Sequence, residues 1–130
     1  MNIKILQIDD DFINNMANER LMKRIGVKFD SVSFLDPTEA LHHLAETKET
    51  YDLMLLDINM PRISGWEFLE LYKDLNVHMP IVMLTSSLDP VDQRKANHNS
   101  LLSGFYIKPL SKEMMIEIFE KCHIVPDMIA

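Results

Sequence analysis

The run Leu53-Met54-Leu55-Leu56 is apolar throughout and ends in an acid, Asp57. With Tyr51 ahead of it and Pro61 behind, so short a stretch reads as a buried central strand rather than a helix. An ionised carboxylate at the end of such a strand must leave water unless it gains a partner. In open α/β sheets the carboxyl ends of the strands are also where ligand chemistry gathers. The rest of the chain is therefore read for what converges on Asp57.

Ile3 to Ile8 reads as a first strand that stops at Asp9-Asp10-Asp11. Over Phe12 to Ile25, the positions Ile13, Met16, Ala17, Leu21 and Ile25 recur at three- and four-residue steps. That spacing predicts a helix burying this stripe, with Asp11 as N-cap and Gly26 as left-handed C-terminal cap. Val27–Leu35 alternates and reads as a strand nearer an edge. Asp36-Pro37 opens a second helix with Ala40, Leu41, Leu44 and Ala45 inside. After Asp57 the pattern predicts a loop over Ile58–Gly65, then a helix over Trp66–Leu75 with Phe68, Leu69, Tyr72 and Leu75 on one face. Pro80–Leu84 is a fourth strand, and Asp89-Pro90 opens a polar helix through Asn97. Gly104–Ile107 is a fifth strand ending at Lys108-Pro109. Ser111 then caps a last helix, with Met115, Ile118, Phe119 and Cys122 inside and Val125-Pro126 ending it. Strands alternating with helices in this way predict a doubly wound α/β fold, a five-stranded parallel sheet with five helices on both faces, as a single domain over residues 1–130.

Charge and composition narrow the function. A net charge of −7 argues against binding a nucleic-acid backbone, and the local cluster Lys23, Arg24 and Lys28 reads as a solvated helix end. No apolar run approaches membrane-spanning length, and the N-terminus reads as a strand rather than a signal peptide, so a cytoplasmic location is expected. The single Cys122 cannot form an internal disulfide and reads as a small buried hydrophobe. The five histidines, His42, His43, His78, His98 and His123, lack ligand spacing and read as surface or filling residues.

In a parallel sheet all strand C-termini share one edge, so Asp9 and Asp10, Asp57, Thr85 and Ser86, and Lys108 should converge there. Three carboxylates in one place repel unless a cation joins them. A few carboxylates completed by water and phosphate oxygens suit Mg²⁺, or Mn²⁺. Lys108 offers a point charge for a carboxylate or a phosphoryl group, and Thr85 a hydroxyl. These are the parts needed to move a phosphoryl group onto Asp57 as nucleophile.

Ile8-Asp9-Asp10, Leu55 to Pro61, Gly65, Leu84-Thr85-Ser86 and Phe105-Tyr106-Ile107-Lys108-Pro109 together resemble the receiver domain of two-component response regulators, of the chemotaxis-regulator type. The resemblance spans essentially the whole chain. It implies a flavodoxin-like strand order 2-1-3-4-5 and a regulatory phosphoacceptor rather than an enzyme. Asp57 is expected to take phosphate from a histidine kinase or a histidine phosphotransfer protein, or slowly from a small phosphodonor. Asp10 is expected to bind the metal directly, Asp9 to assist through water, and the Asn59 backbone carbonyl to complete the protein's share of the shell. Lys108, preceding a cis peptide to Pro109, is expected to contact the phosphoryl group. Thr85 should turn inward to it, and Phe105 should move from exposed to buried in step, remodelling the surface of helix 4, strand 5 and helix 5. Ser86 stands where the family commonly has Ala, and Asn59 and Ser87 hold positions where the family tunes dephosphorylation. Trp66 is expected to report on the loop after Asp57.

A flavodoxin-like cofactor binder would need a glycine- or hydroxyl-rich cradle where Asp9-Asp10-Asp11 stand, and the P-loop motif is absent from the sequence. The alternative that remains is a phosphorylation-independent docking or dimerisation module on the same fold. With no output domain after the last helix, the chain is expected to act by binding another protein, as a monomer or weak homodimer, with neither nucleic acid nor membrane as partner.

Overall fold

A computed structural model describes residues 2–124. The strands are β1 (Ile3–Ile8), β2 (Phe29–Phe34), β3 (Leu53–Asp57), β4 (Ile81–Thr85) and β5 (Leu102–Ile107). The helices are α1 (Phe12–Arg24), α2 (Pro37–Glu46), α3 (Gly65–Tyr72), α4 (Pro90–Asn97) and α5 (Lys112–Lys121). The sheet is parallel throughout with order β2-β1-β3-β4-β5, so β2 lies at an edge, as its alternating pattern predicts. Every residue of β3 and β4 is buried, because helices cover both faces.

The sheet divides the core in two. On one face Ile5, Leu53, Leu55, Val82 and Leu84 pack against Met22 of α1 and Ile25 just past it, and against Met115, Ile118 and Phe119 of α5. On the other, Leu6, Ile8, Met54, Leu56, Ile81 and Met83 pack against Ala40 and Leu44 of α2 and Phe68, Leu69 and Tyr72 of α3. Asp36 and Asp89 cap α2 and α4 through Thr38 N–H and Val91 N–H, each with proline in the first turn. Cys122 is buried, as expected, and that burial pushes its thiol up. Gly26 holds the left-handed conformation at φ 85°.

The predicted stripe of α1 is the main correction. Ile13 and Met16 are 62% and 46% exposed, Ala17 is also exposed, and the helix instead buries Asn15, Asn18 and Met22; of the stripe, Ile25 is buried and Leu21 half-buried. The cause is across the interface, where β1 presents the fully buried amide of Gln7 to α1. A helix facing a buried amide turns its own amides toward it, since an unpaired polar atom there costs about 1–3 kcal/mol. Among smaller differences, Ala45 is exposed. Ser64 caps α3 through a capping box with Glu67, so the helix begins at Gly65, one residue before the predicted Trp66, and the last turn, Lys73–Leu75, tightens to a 3-10 turn. β5 begins at Leu102 because Ile81 pairs with Leu102 and Val82 with Gly104, leaving Ser103 as the extra residue of a bulge. Val125 and Pro126 lie outside the described residues.

Candidate functional site

The strand ends do converge. Lys108 Nζ lies 2.7 Å from Asp9 Oδ2 and 3.0 Å from Asp57 Oδ1, with all three side chains largely buried. The other Asp9 oxygen, Oδ1, accepts from Asp11 N–H at 2.9 Å, while Asp11 caps α1 through Ile13 N–H. Asp10 is exposed, yet carboxylate oxygens of Asp9, Asp10 and Asp57 all fall within 4.8 Å of one another. The backbone fixes this edge: Ile58 N–H donates to Leu84 O at 3.2 Å and Lys108 N–H to Thr85 O at 2.7 Å. The Lys108–Pro109 peptide is cis.

Burial pushes the Asp57 carboxyl up to about 6, and the charge of Asp9 adds to this, while the hydrogen bond from Lys108 opposes it. Burial would lower Lys108, but its hydrogen bonds to Asp9 and Asp57 outweigh that and hold the ammonium above its ordinary value. Three carboxylates against one ammonium leave two negative charges. That imbalance, the hard oxygen donors and the raised Asp57 are what a divalent cation would relieve, so Asp9, Asp10 and Asp57 could hold a metal ion.

Of the remaining predicted residues, Thr85, Ser86 and Asn59 lie at or just past the ends of β4 and β3, and Phe105 lies within β5. Thr85 is fully buried, but its hydroxyl accepts from Ser87 N–H at 2.9 Å rather than turning to the acids. Ser86 and Asn59 are exposed, and Phe105 is half-buried against the α2/α3 side of the core. Gly65 closes the floor of the site: its N–H donates to Ile58 O at 2.7 Å. A Cβ there would stand 2.6 Å from Asp57 O and 3.0 Å from Ile58 Cα, both backbone atoms. Gly65→Ala is therefore expected to push α3 off the end of β3 and to cost about 2–3 kcal/mol in urea unfolding. An unchanged midpoint would mean the loop absorbs the methyl group.

Three contacts escaped the sequence because each joins distant elements. Trp66 Nε1–H donates to Asp92 Oδ1 of α4 at 3.0 Å, with Lys95 over the indole at 5.7 Å. Tyr106 O–H donates to Glu117 of α5 at 2.7 Å. Gln7 joins α1 through Asn15 and Asn18. Only Gln7 leaves a trace in the sequence, as the one amide in a strand that is otherwise apolar but for Lys4.

The family model for the response regulator receiver domain matches residues 5–120. The chain belongs to the response regulator receiver domain family. This receiver is 31% identical over 110 residues to the two-component response regulator ARR22 of Arabidopsis thaliana, covering 85% of the chain and 76% of that protein. It is 30% identical over 125 residues to Protein PilG of Pseudomonas aeruginosa, covering 94% and 87%. A two-component response regulator from Cytophaga hutchinsonii has the same fold, with a TM-score of 0.82 at 29% identity, covering 95% of this chain and 98% of that one. Other relatives are far longer. The receiver spans 14% of a Dictyostelium discoideum 3',5'-cyclic-nucleotide phosphodiesterase and 10% of the sensor protein EvgS of Escherichia coli O157:H7, at 30% and 28% identity. Among the described residues no helix is long and apolar enough to cross a membrane.

Proposed function

We propose that this receiver is a regulatory phosphoacceptor in which Asp57 takes a phosphoryl group from a phosphohistidine on a histidine kinase or phosphotransfer protein. The observation that carries the reading is the Asp57 carboxylate paired at 3.0 Å with Lys108 and within 4.8 Å of Asp9 and Asp10. A carboxylate oxygen of Asp57 attacks phosphorus, the P–N bond to the donor imidazole breaks, and the imidazole leaves with a proton from solvent. Asp9, Asp10, Asp57 and the Asn59 carbonyl would hold Mg²⁺ or Mn²⁺, which would supply positive charge for the phosphoryl oxygens. Lys108 transfers its hydrogen bond from Asp57 to one of those oxygens. The Thr85 hydroxyl gives up Ser87 N–H and donates to another, and Phe105 moves with it, shifting the α4–β5–α5 surface toward a second state that a target protein reads. Exposed Phe12, Ile13 and Met16, beside the acids, give a donor protein an apolar surface to dock on.

The test uses phosphoramidate with Mg²⁺, read by intact mass and by Trp66 fluorescence, which senses α4 through Asp92. The wild type is expected to gain one phosphoryl group and to change fluorescence, and Asp57→Asn to do neither. A wild type that gains no mass, and shows no fluorescence change or heat with Mg²⁺ and beryllofluoride, would instead be a phosphorylation-independent docking module.

A further inference from the structure

Gln7 has no exposed surface and sits on the sheet face that Ile5 shares with α1 and α5. A primary amide in that position is costly unless its polar atoms are paired. All of them are. Its Oε1 accepts from Asn18 Nδ2 at 3.1 Å. Its Nε2 lies 3.3 Å from Asn15 O, 3.2 Å from Glu19 Oε2 and 3.2 Å from Ser31 Oγ, more acceptors than two N–H bonds can fully serve. The amide is thus fixed from three sides, by α1, by β2 and by its own strand.

What this fixes lies two residues further along β1. Asn15, itself 3% exposed, reaches back from α1 with Nδ2 3.5 Å from the backbone carbonyl of Asp9. That carbonyl belongs to the planar peptide joining Asp9 to Asp10, so its direction sets how Asp10 leaves the strand. Asp9 has its own anchors in Lys108 and Asp11 N–H. Asp10, exposed at the rim, takes its direction from this peptide. Gln7 holds Asn15 in place through the Asn15 carbonyl, and Asn15 holds the peptide.

Packing alone gives no reason for such a cluster. Apolar residues at positions 7 and 18 would fill the same space, and replacing a paired polar set by apolar groups of like shape is commonly neutral or stabilising. The cluster also works against the helix's own apolar residues, since it keeps Ile13 and Met16 in solvent. Its gain is geometric. We propose that Gln7 and Asn15 are positioning residues for the metal-binding acids, setting the Asp9–Asp10 peptide so that Asp10 meets the cation shared with Asp9 and Asp57. This rests on the reading of those acids as a Mg²⁺ site.

The experiment is Mg²⁺ titration by calorimetry on wild type, Gln7→Leu, Asn15→Ala, the double variant and Ser31→Ala, each first shown folded by circular dichroism and urea unfolding. Outer partners of metal ligands typically govern affinity by about 10–100-fold. Gln7→Leu and Asn15→Ala are each expected to weaken Mg²⁺ binding about tenfold. The double variant should be no weaker than the singles, because both act through one peptide. Ser31→Ala removes a Gln7 acceptor while sparing the link to Asp10, and should bind Mg²⁺ as the wild type does. Should Gln7→Leu fail to fold, Asn15→Ala decides alone. Folded variants binding within about twofold of wild type would overturn the proposal, as would an equal loss in Ser31→Ala, which would signal general packing damage. A wild type that binds no Mg²⁺ would instead remove the metal-site reading, and the positioning role with it.

Discussion

Lys108→Met is expected to be the most damaging single change at this site, lowering stability by about 3 kcal/mol at pH 8 in metal-free buffer. Lys108 Nζ is shared between Asp9 at 2.7 Å and Asp57 at 3.0 Å, and its side chain is 14% exposed. Methionine fills the stem's volume but leaves two buried carboxylates facing each other. Removing one partner of a buried ion pair costs far more than the pair is worth, because the remaining charge stays desolvated. The sign of the pH dependence follows. Lys108 has a raised folded value, so its own contribution is complete below about 10 and constant between pH 5 and 8. The difference in slope between the two proteins in that window is then set by Asp57, which already stands at about 6 and would rise further without Lys108. A carboxyl raised by folding stabilises below its unfolded value and loses that contribution as pH climbs through the folded one. The variant should therefore lose stability more steeply than wild type from pH 5 to pH 8. Urea unfolding at the two pH values measures this. A variant within about 1 kcal/mol of wild type at pH 8 would show that the acids are relieved by water instead.

Much of this arrangement was legible because strand-end residues in a parallel sheet have nowhere else to go. Leu53–Leu56 and Ile81–Leu84 are apolar without alternation, and both are buried on two faces as that pattern requires. Asp36-Pro37 and Asp89-Pro90 announce helix starts through chemistry local to four residues, and both caps form. Asp9, Asp57 and Lys108 meet as their positions predict. Whatever depends on a facing element was not legible. The rotation of α1 is set by Gln7 on another strand, so periodicity within the helix pointed to Ile13 and Met16 when Asn15 and Asn18 are buried. The start of β5 depends on a bulge opposite Ile81 and Val82. The Thr85 hydroxyl is engaged by Ser87 N–H, a choice between two partners that residue type alone does not make. Its place in the sequence makes Trp66 a reporter on the loop after Asp57; the bond to Asp92 also couples it to α4, which its own helix does not reveal.

Asp57→Asn is expected to move stability in the opposite direction, making the metal-free protein about 2 kcal/mol more stable at pH 8. Folding takes the Asp57 carboxyl from an ordinary 3.8 to about 6, chiefly by burial. That difference corresponds to about 3 kcal/mol charged against the fold once Asp57 is ionised, the part that asparagine escapes. The Lys108–Asp57 contact is already counted in that net figure, and what offsets some of the gain is the asparagine amide, whose own donors must be satisfied beside a Lys108 that keeps Asp9. Below about pH 4 the wild-type carboxyl is protonated in both states, so the advantage of asparagine should vanish there. It should open between pH 4 and 6 and stay level above. Urea unfolding of both proteins from pH 4 to pH 8 in EDTA reads this out, and a difference independent of pH, or an asparagine variant less stable at pH 8, would refute it. Added Mg²⁺ should narrow the gap at pH 8, because a cation binding the folded wild type stabilises it by mass action. The stability given up at Asp57 in the free protein and the affinity of the acids for a cation then have one source, an ionised carboxylate held in a buried site beside two others.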